Sequence, residues 1–542
     1  MNYIKKHITV LYFVSGIIIL CALGIILSAD FKSFVDLDLN DEGNYLFAGK
    51  NIMTCGTRIM YPLWYKFIQL FQLNDIATYY LNQQLNIILL PVCIYVLLYT
   101  YFRNITFSLF FSILFLYSNT NVATEYILND FTFCWAMKLN NFTLGVLCLL
   151  TCIIYYFKKR GYSAISLFTF SFLILSYCRN EYCLLFIISI LTYGVYFLWK
   201  LRTSKREVIV FFFIVLTSLI LIIKLGLSIT ATEHSYLAYA QGYTRNYLQM
   251  KELSLFPNID LYTQSDKIFG NAKSIADFFF SNPLEFIKNS IFNVYNMLVI
   301  NSYRVSDVLL PQIFINYKDK STVNYVISWL VIIALGIYII KNFKLKNALQ
   351  NPALLFLTIC IIPTIIYCVL YVFEPRYFLF FVPLLYICII HFLIHLKQKK
   401  YIEYVLLVII ACIIIYHPTA ADYFKKNRCF IDQRIVSSIS IIEKYKKDKQ
   451  TTYVKILSND GNFDKFIPNS SCLNISANGT HTTKEINTNL NFMNFDVIIL
   501  TENKAFSSQS LIYNNLIEFL KDNDSFTHIV DYKKNVNLYL RK

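Results

Sequence analysis

Two stretches of this chain leave little choice of solvent. Residues 8–27 read ITVLYFVSGIIILCALGIIL and residues 208–227 read VIVFFFIVLTSLILIIKLGL, the first without a charge and the second with one lysine near its far end. About 20 apolar residues wound as a helix match the hydrocarbon core of a bilayer, where a helix satisfies its own backbone hydrogen bonds. The composition agrees: 56% of the 542 residues are hydrophobic and only 15% are charged, outside the range of an ordinary soluble domain. Lys5 and Lys6 precede the first run, as in a secretory signal. That run is long for a signal, however, and SADFKSFVDLDL after it is a poor cleavage site, so it is expected to stay as the first span.

The net charge of +16 raises the question of nucleic acid. The basic residues nevertheless sit in short clusters between apolar runs: Lys5-Lys6, Arg103, Lys158-Lys159-Arg160, Lys200 to Arg206, Lys341 to Lys346 and Lys397 to Lys400. This pattern sets membrane orientation, so no nucleic-acid partner is expected. With every cluster cytoplasmic, spans fall near 8–28, 82–102, 105–118, 141–157, 161–178, 182–199, 207–229, 323–340, 352–372, 377–396 and 401–417. The expected fold is therefore an all-α polytopic membrane protein of about eleven transmembrane helices, covering residues 1–417, with a cytoplasmic N-terminus. Outer loops are expected at 29–81, 119–140 and 230–322. Within the last, 282–300 is amphipathic and reads equally as an interfacial helix or as a partly buried connector.

Residues 418–542 have soluble patterning. TYVKIL, FDVIIL and NLYL read as strands, and SQSLIYNNLIEFLKDN as a helix between the last two of them, so a small C-terminal α/β domain on the extracytoplasmic side is expected. Most of the 14 cysteines lie in apolar runs; only Cys429 and Cys472 share the tail, where a disulfide between them is open.

The chemistry-bearing residues gather at span ends on the outer side. Asp36, Asp38, Asp41 and Glu42 follow the first span, and a helix capped by Asn40 or Asp41 is expected to start there. Glu125 and Asp130 share a second outer segment, Arg179 and Glu181 a turn between spans, and Glu374 and Arg376 the start of a late span. Carboxylates that activate a hydroxyl, beside Arg58, Arg179 and Arg376 that grip a phosphate, suit a site that binds an anion and removes a proton. Interhelical ion pairing is the bland alternative for such residues.

In this order the motifs resemble the GT-C superfamily of membrane glycosyltransferases, in particular its protein O-mannosyltransferase and lipid A aminoarabinose transferase branch. Asp41-Glu42-Gly43-Asn44-Tyr45-Leu46-Phe47-Ala48 is similar to that branch's DExxYxxxA, and Tyr61-Pro62-Leu63-Trp64-Tyr65 to its proline-aromatic segment. Ile127-Leu128-Asn129-Asp130 resembles a later ILxD motif, Arg179-Asn180-Glu181 an Arg-x-Glu turn, and Glu374-Pro375-Arg376-Tyr377 the start of a late span; the likeness runs from residue 1 to about 396. The chain departs from the aminoarabinose branch at Tyr61, where that branch has a lysine, leaving Arg58 or Lys66 for the phosphate contact.

The resemblance implies transfer of a sugar from a polyprenyl-phosphate donor to a lipid, glycan or protein acceptor, with inversion. It implies Asp41 as base, with Glu42 beside it and Asp130 as a second acid. Arg376, Arg179 and Arg58 would bind phosphate, and Glu374, Tyr377, Glu181, Tyr45 and Glu125 would support the site. It implies no cofactor, and with no His or Cys ligand cluster in the sequence a divalent metal is left open. A bacterial plasma membrane is the expected location. The runner-up is a surface-polysaccharide polymerase or ligase, which usually lacks the acidic pair after the first span. A lipid-linked glycan transporter ranks lower, because the spans lack midspan charge and internal repeats.

Overall fold

The computed structural model describes residues 2–33, 36–37, 39, 41–50, 59–71, 73–122, 138–200, 205–225, 232–251, 263–270, 272–311, 326, 328–333, 351–371, 375–396, 398–419, 422, 434–459, 463–474, 495–501, 520, 525–531 and 536–542. Up to residue 416 the regular elements among them are helices. These begin with α1 (Asn2–Ser28), α2 (Asp41–Lys50), α3 (Met60–Gln69), α4 (Asp75–Phe102), α5 (Ile105–Leu116), the short α6 (Asn119–Val122) and α7 (Leu139–Lys159). There follow α8 (Ala164–Cys178), α9 (Tyr182–Lys200), α10 (Lys205–Leu225), α11 (Thr232–Met250), α12 (Thr263–Phe269), α13 (Ile275–Ser281) and α14 (Pro283–Leu309). After α15 (Pro352–Leu370) a 3-10 turn, Pro375–Phe381, leads into α16 (Val382–Ile394), and α17 (Lys399–Tyr416) ends the series.

The eleven apolar runs are helical over most of their described residues; the run at 161–178 becomes helix only from Ala164, the run at 377–396 opens with 3-10 turns, and in the run at 323–340 only residues 326 and 328–333 are described. Among the described residues seven helices are long and apolar enough to cross a membrane, and α5 and α8 are apolar but shorter. Local chemistry sets the boundaries. The Asn74 side chain accepts from the Ala77 amide at 2.8 Å and starts α4 at Asp75, well before the expected 82. Arg103 ends it in the left-handed region (φ 55°), and Asn104 then caps α5 through the Phe107 amide at 3.0 Å, so two residues turn the chain back.

Close packing of α1 on α4 needs glycine. A Cβ at Gly24 would lie 2.8 Å from Ile88 Cγ1 and 3.4 Å from Ile88 Cα, so the helices touch almost backbone to side-chain stem. Gly24→Val is expected to destabilise the bundle by about 1–3 kcal/mol, the usual cost of overpacking. The measurement is the unfolding midpoint of the detergent-solubilised protein; an unshifted midpoint would show that the two helices are free to separate.

Helix α14 is inside-out. Asn289 (0% exposed) and Asn293 (1%) are buried, with Asn246 of α11 donating to both at 2.7 and 2.8 Å, while Leu284 (64%), Ile291 (64%) and Tyr295 (59%) face outward. With Phe286, Asn289 and Asn293 buried and an apolar stripe exposed, the helix fits both readings of 282–300, the interfacial helix and the partly buried connector.

The C-terminal region carries helix α18 (Arg434–Asp448) and a five-stranded sheet of β1 (Val454–Ser458), β2 (Ser470–Asn474), β3 (Val497–Thr501), β4 (Phe526–Asp531) and β5 (Val536–Arg541). The order is β2-β1-β3-β5-β4; β1 runs parallel to β2 and β3, whereas β5 is antiparallel to β3 and β4. The three expected strands are β1, β3 and β5; α18, β2 and β4 are additions. The helix expected at 508–523 lies outside the described residues except for Leu520, which is helical and buried. Cys429 also lies outside them; Cys472 is on β2, where burial pushes its thiol up to about 11. One buried apolar cluster runs from Leu20 of α1 through Leu39 and Tyr79 to Ile439 of α18, Ile456 of β1 and Phe466, so sheet and bundle share a core.

Candidate functional site

The end of the bundle where α1 stops and α4 starts gathers the polar side chains. Glu42, in the first turn of α2, is fully buried. A carboxylate out of water must be surrounded by donors, and this one is. The Tyr61 hydroxyl donates to both of its oxygens at 3.0 Å, the Tyr65 hydroxyl donates to Oε2, and Asn82 Nδ2 approaches Oε2 at 3.3 Å. The Lys138 backbone N–H donates to Oε1 at 2.6 Å. Asn82 is held in turn, its Oδ1 accepting from Trp64 Nε1 at 2.9 Å and Asn86 Nδ2 at 2.8 Å. Burial first, and then the Glu42 charge, push the Tyr61 and Tyr65 phenols well above the ordinary tyrosine range, so both remain protonated donors. Tyr45 packs edge-on against the Tyr61 ring at 5.2 Å.

Lys138 begins a bridge. It is fully buried, and its ammonium donates to the Asn121 and Val122 carbonyls at 2.9 and 3.1 Å, at the end of α6. Two residues on, Asn140 Oδ1 accepts from Arg179 Nη1 at 2.7 Å. Residues 138–140, at the start of α7, thus join Glu42 to Arg179. Arg179 also grips Glu181 through Nε at 3.2 Å and Nη2 at 2.5 Å. Burial opposes the Arg179 charge, but the Glu181 carboxylate and then the Tyr377 phenol more than offset it, leaving this guanidinium firmly charged.

The Tyr377 ring ties in the second arginine. The Arg179 guanidinium lies 4.9 Å from its centroid and that of Arg376 5.7 Å, so both cations share one aromatic ring. Tyr377 is buried, while Arg376 is half-buried.

Sequence reasoning missed three charged residues here. Arg304 and Asp307, near the end of α14, lie 4.0 Å apart and both are buried. Asp307 accepts from the Thr120 backbone N–H at 2.9 Å and its hydroxyl at 3.0 Å, fastening α14 to α6. The third is Lys138. Lys138 was a lone charge beside an apolar stretch, and Arg304 and Asp307 an i,i+3 pair beside one, signals that could have marked them.

Glu42, Tyr45, Arg179, Glu181, Arg376 and Tyr377 are thus brought to one end of the bundle. Asp41 is the first residue of α2, described by its backbone; Arg58, Glu125, Asp130 and Glu374 lie outside the described residues. The expected meeting of Asp41, Asp130 and Arg376 thus lies partly outside the described residues; within them, the helix that starts at Asp41 is linked through Glu42, Lys138 and Asn140 to Arg179. Asp36, the first of the four acids after the first span, is buried and bonded to the C-terminal domain. Among the described residues no group of three or more His, Cys, Asp or Glu could hold a metal ion. The arrangement thus places two guanidinium groups, one of them paired with Glu181, at the end of the bundle that holds the helix carrying Asp41 and Glu42. The sequence matches no model of a known protein family, and it matches no curated protein.

Proposed function

We propose that the protein is a membrane glycosyltransferase of the GT-C type, with about eleven spans, moving a sugar from a polyprenyl-phosphate donor to a lipid, glycan or protein acceptor on the extracytoplasmic face of a bacterial plasma membrane. The N-terminus is then cytoplasmic and the C-terminal domain extracytoplasmic. The observation that carries this reading is the bridge at 138–140, which couples the acid-bearing helix α2 to Arg179 and, through the Tyr377 ring, to Arg376. The outward apolar face of α14 supports a lipid setting beside it.

In the reaction, the acceptor oxygen attacks the anomeric carbon from the side opposite the phosphate. The carbon–oxygen bond to phosphate breaks, its electron pair stays on the phosphate oxygen, and the hydroxyl proton passes to Asp41. A phosphate leaves as an anion, so positive charge serves where another leaving group would need an acid. Arg376, beside Tyr377, is assigned as the principal phosphate contact, and Arg179, paired with Glu181, holds Tyr377 and Asn140 in place. Glu42, saturated by donors, anchors α2 rather than taking a proton.

The test is transfer by the purified protein from short-chain polyprenyl-phosphate hexose and pentose donors to envelope extracts, read by mass spectrometry. Arg376→Ala is expected to lower kcat/KM about 100- to 1000-fold, the scale for losing one charge-stabilising donor, and Arg376→Lys to recover part of it. Wild-type protein that consumes none of these donors would overturn the proposal.

A further inference from the structure

The first outer loop is gripped by the C-terminal domain. Asp36 is 7% exposed, although it lies in a short connecting segment, and its carboxylate is spent on a helix about 400 residues away. Oδ2 accepts from the Ile435 amide at 2.9 Å and Oδ1 from the Val436 amide at 3.3 Å, the N–H groups of the second and third residues of α18. Asp36 therefore acts as an N-cap supplied from another part of the chain; its charge also complements the positive end of the helix. Three residues on, the Leu39 carbonyl accepts from Lys465 Nζ at 3.1 Å. The Leu37 and Leu39 side chains are buried in the cluster that holds Ile435 and Ile439, and the Phe466 ring meets Tyr79 edge-on at 6.1 Å.

Asp41 follows two residues after Leu39, and Glu42 follows Asp41. On one side the chain is pinned to the C-terminal domain through Asp36 and Leu39; on the other it is pinned to the bundle through Glu42. We propose that the C-terminal domain is a positioning part of the site: through Asp36 and Lys465 it sets the path of the chain into α2 and so the place of Asp41. Its part in turnover rests on the glycosyltransferase reading; its hold on α2 does not. Asp36 and Lys465 are positioning residues, with no contact to substrate.

Hydrogen exchange by mass spectrometry on the full-length protein in nanodiscs, beside transfer kinetics, tests this. Asp36→Ala is expected to speed exchange about tenfold both in the first turn of α18 and across 37–48, as loss of one cap allows, while the middle of α4 is unchanged. Asp36→Ser, which still caps, should restore most of the protection. Lys465→Met should loosen 37–48 without touching the first turn of α18. In turnover, Asp36→Ala should lower kcat about tenfold and leave the donor KM within about twofold, because the base moves and the phosphate contact does not. Exchange across 37–48 that stays at the wild-type rate in Asp36→Ala or in Lys465→Met overturns the proposal. Loosening of 37–48 in a protein that transfers no sugar overturns the glycosyltransferase reading alone and leaves the grip intact.

Discussion

Glu42→Ala is expected to destabilise the protein by about 3–5 kcal/mol, the scale for removing one member of a buried, charge-assisted network. The expectation follows from what stays behind. Tyr61, Tyr65, Asn82 and the Lys138 amide all point at this carboxylate, and with it gone their donors are stranded where water has little access. The Tyr61 and Tyr65 phenols cannot relieve this by ionising, since burial holds them protonated. Glu42→Gln keeps the shape and one acceptor but turns an NH2 group toward hydroxyl donors, so a loss of about 2 kcal/mol is expected. Chemical or thermal unfolding in detergent measures both. If Glu42→Gln unfolds at the wild-type midpoint while transfer is lost, Glu42 is a reacting group and not an anchor.

The contrast between spans and site shows what a one-dimensional reading can reach. Uncharged runs near 20 residues long are visible because the bilayer length and the helical rise set their size, independent of partners. The start of α4 at Asp75 lies ahead of the apolar run and is set by the Asn74 cap, while Asn82, Gln83 and Asn86 lower the hydropathy of the expected span yet are buried, two of them in the Glu42 network. Polar residues inside a span are explained only by what they bond, and here those partners come from α2, α3 and the start of α7. In the tail, β2 (SSCLN) and β4 (FTHIVD) lack the apolar alternation of central strands because both lie at sheet edges. Helix α18 did carry a signal, Ile435, Ile439 and Ile442 at helical spacing on one buried face. The Asp36 cap carried none, since nothing local distinguishes an acid that caps a helix 399 residues downstream from one that faces water.

Asp41→Asn is expected to reduce transfer about 100- to 10000-fold, the range that a positioned general base contributes. Asparagine keeps the size of the side chain and its ability to sit at a helix start, so α2 and the Glu42 network should remain intact, and the unfolding midpoint should fall with wild type. Donor binding should also persist, because Arg376 and Arg179 are fixed by Tyr377, Asn140 and Glu181, none of which involves Asp41. The expected signature is thus a fall in kcat with donor KM held within about twofold, the reverse of an Arg376 defect, in which donor binding suffers as well. Both variants need assaying against the same donor, since a substitution that merely unfolded the site would lower both parameters and the midpoint together. Turnover by Asp41→Asn at the wild-type rate would remove the base from α2, and the hydroxyl proton would then have to go to another acid.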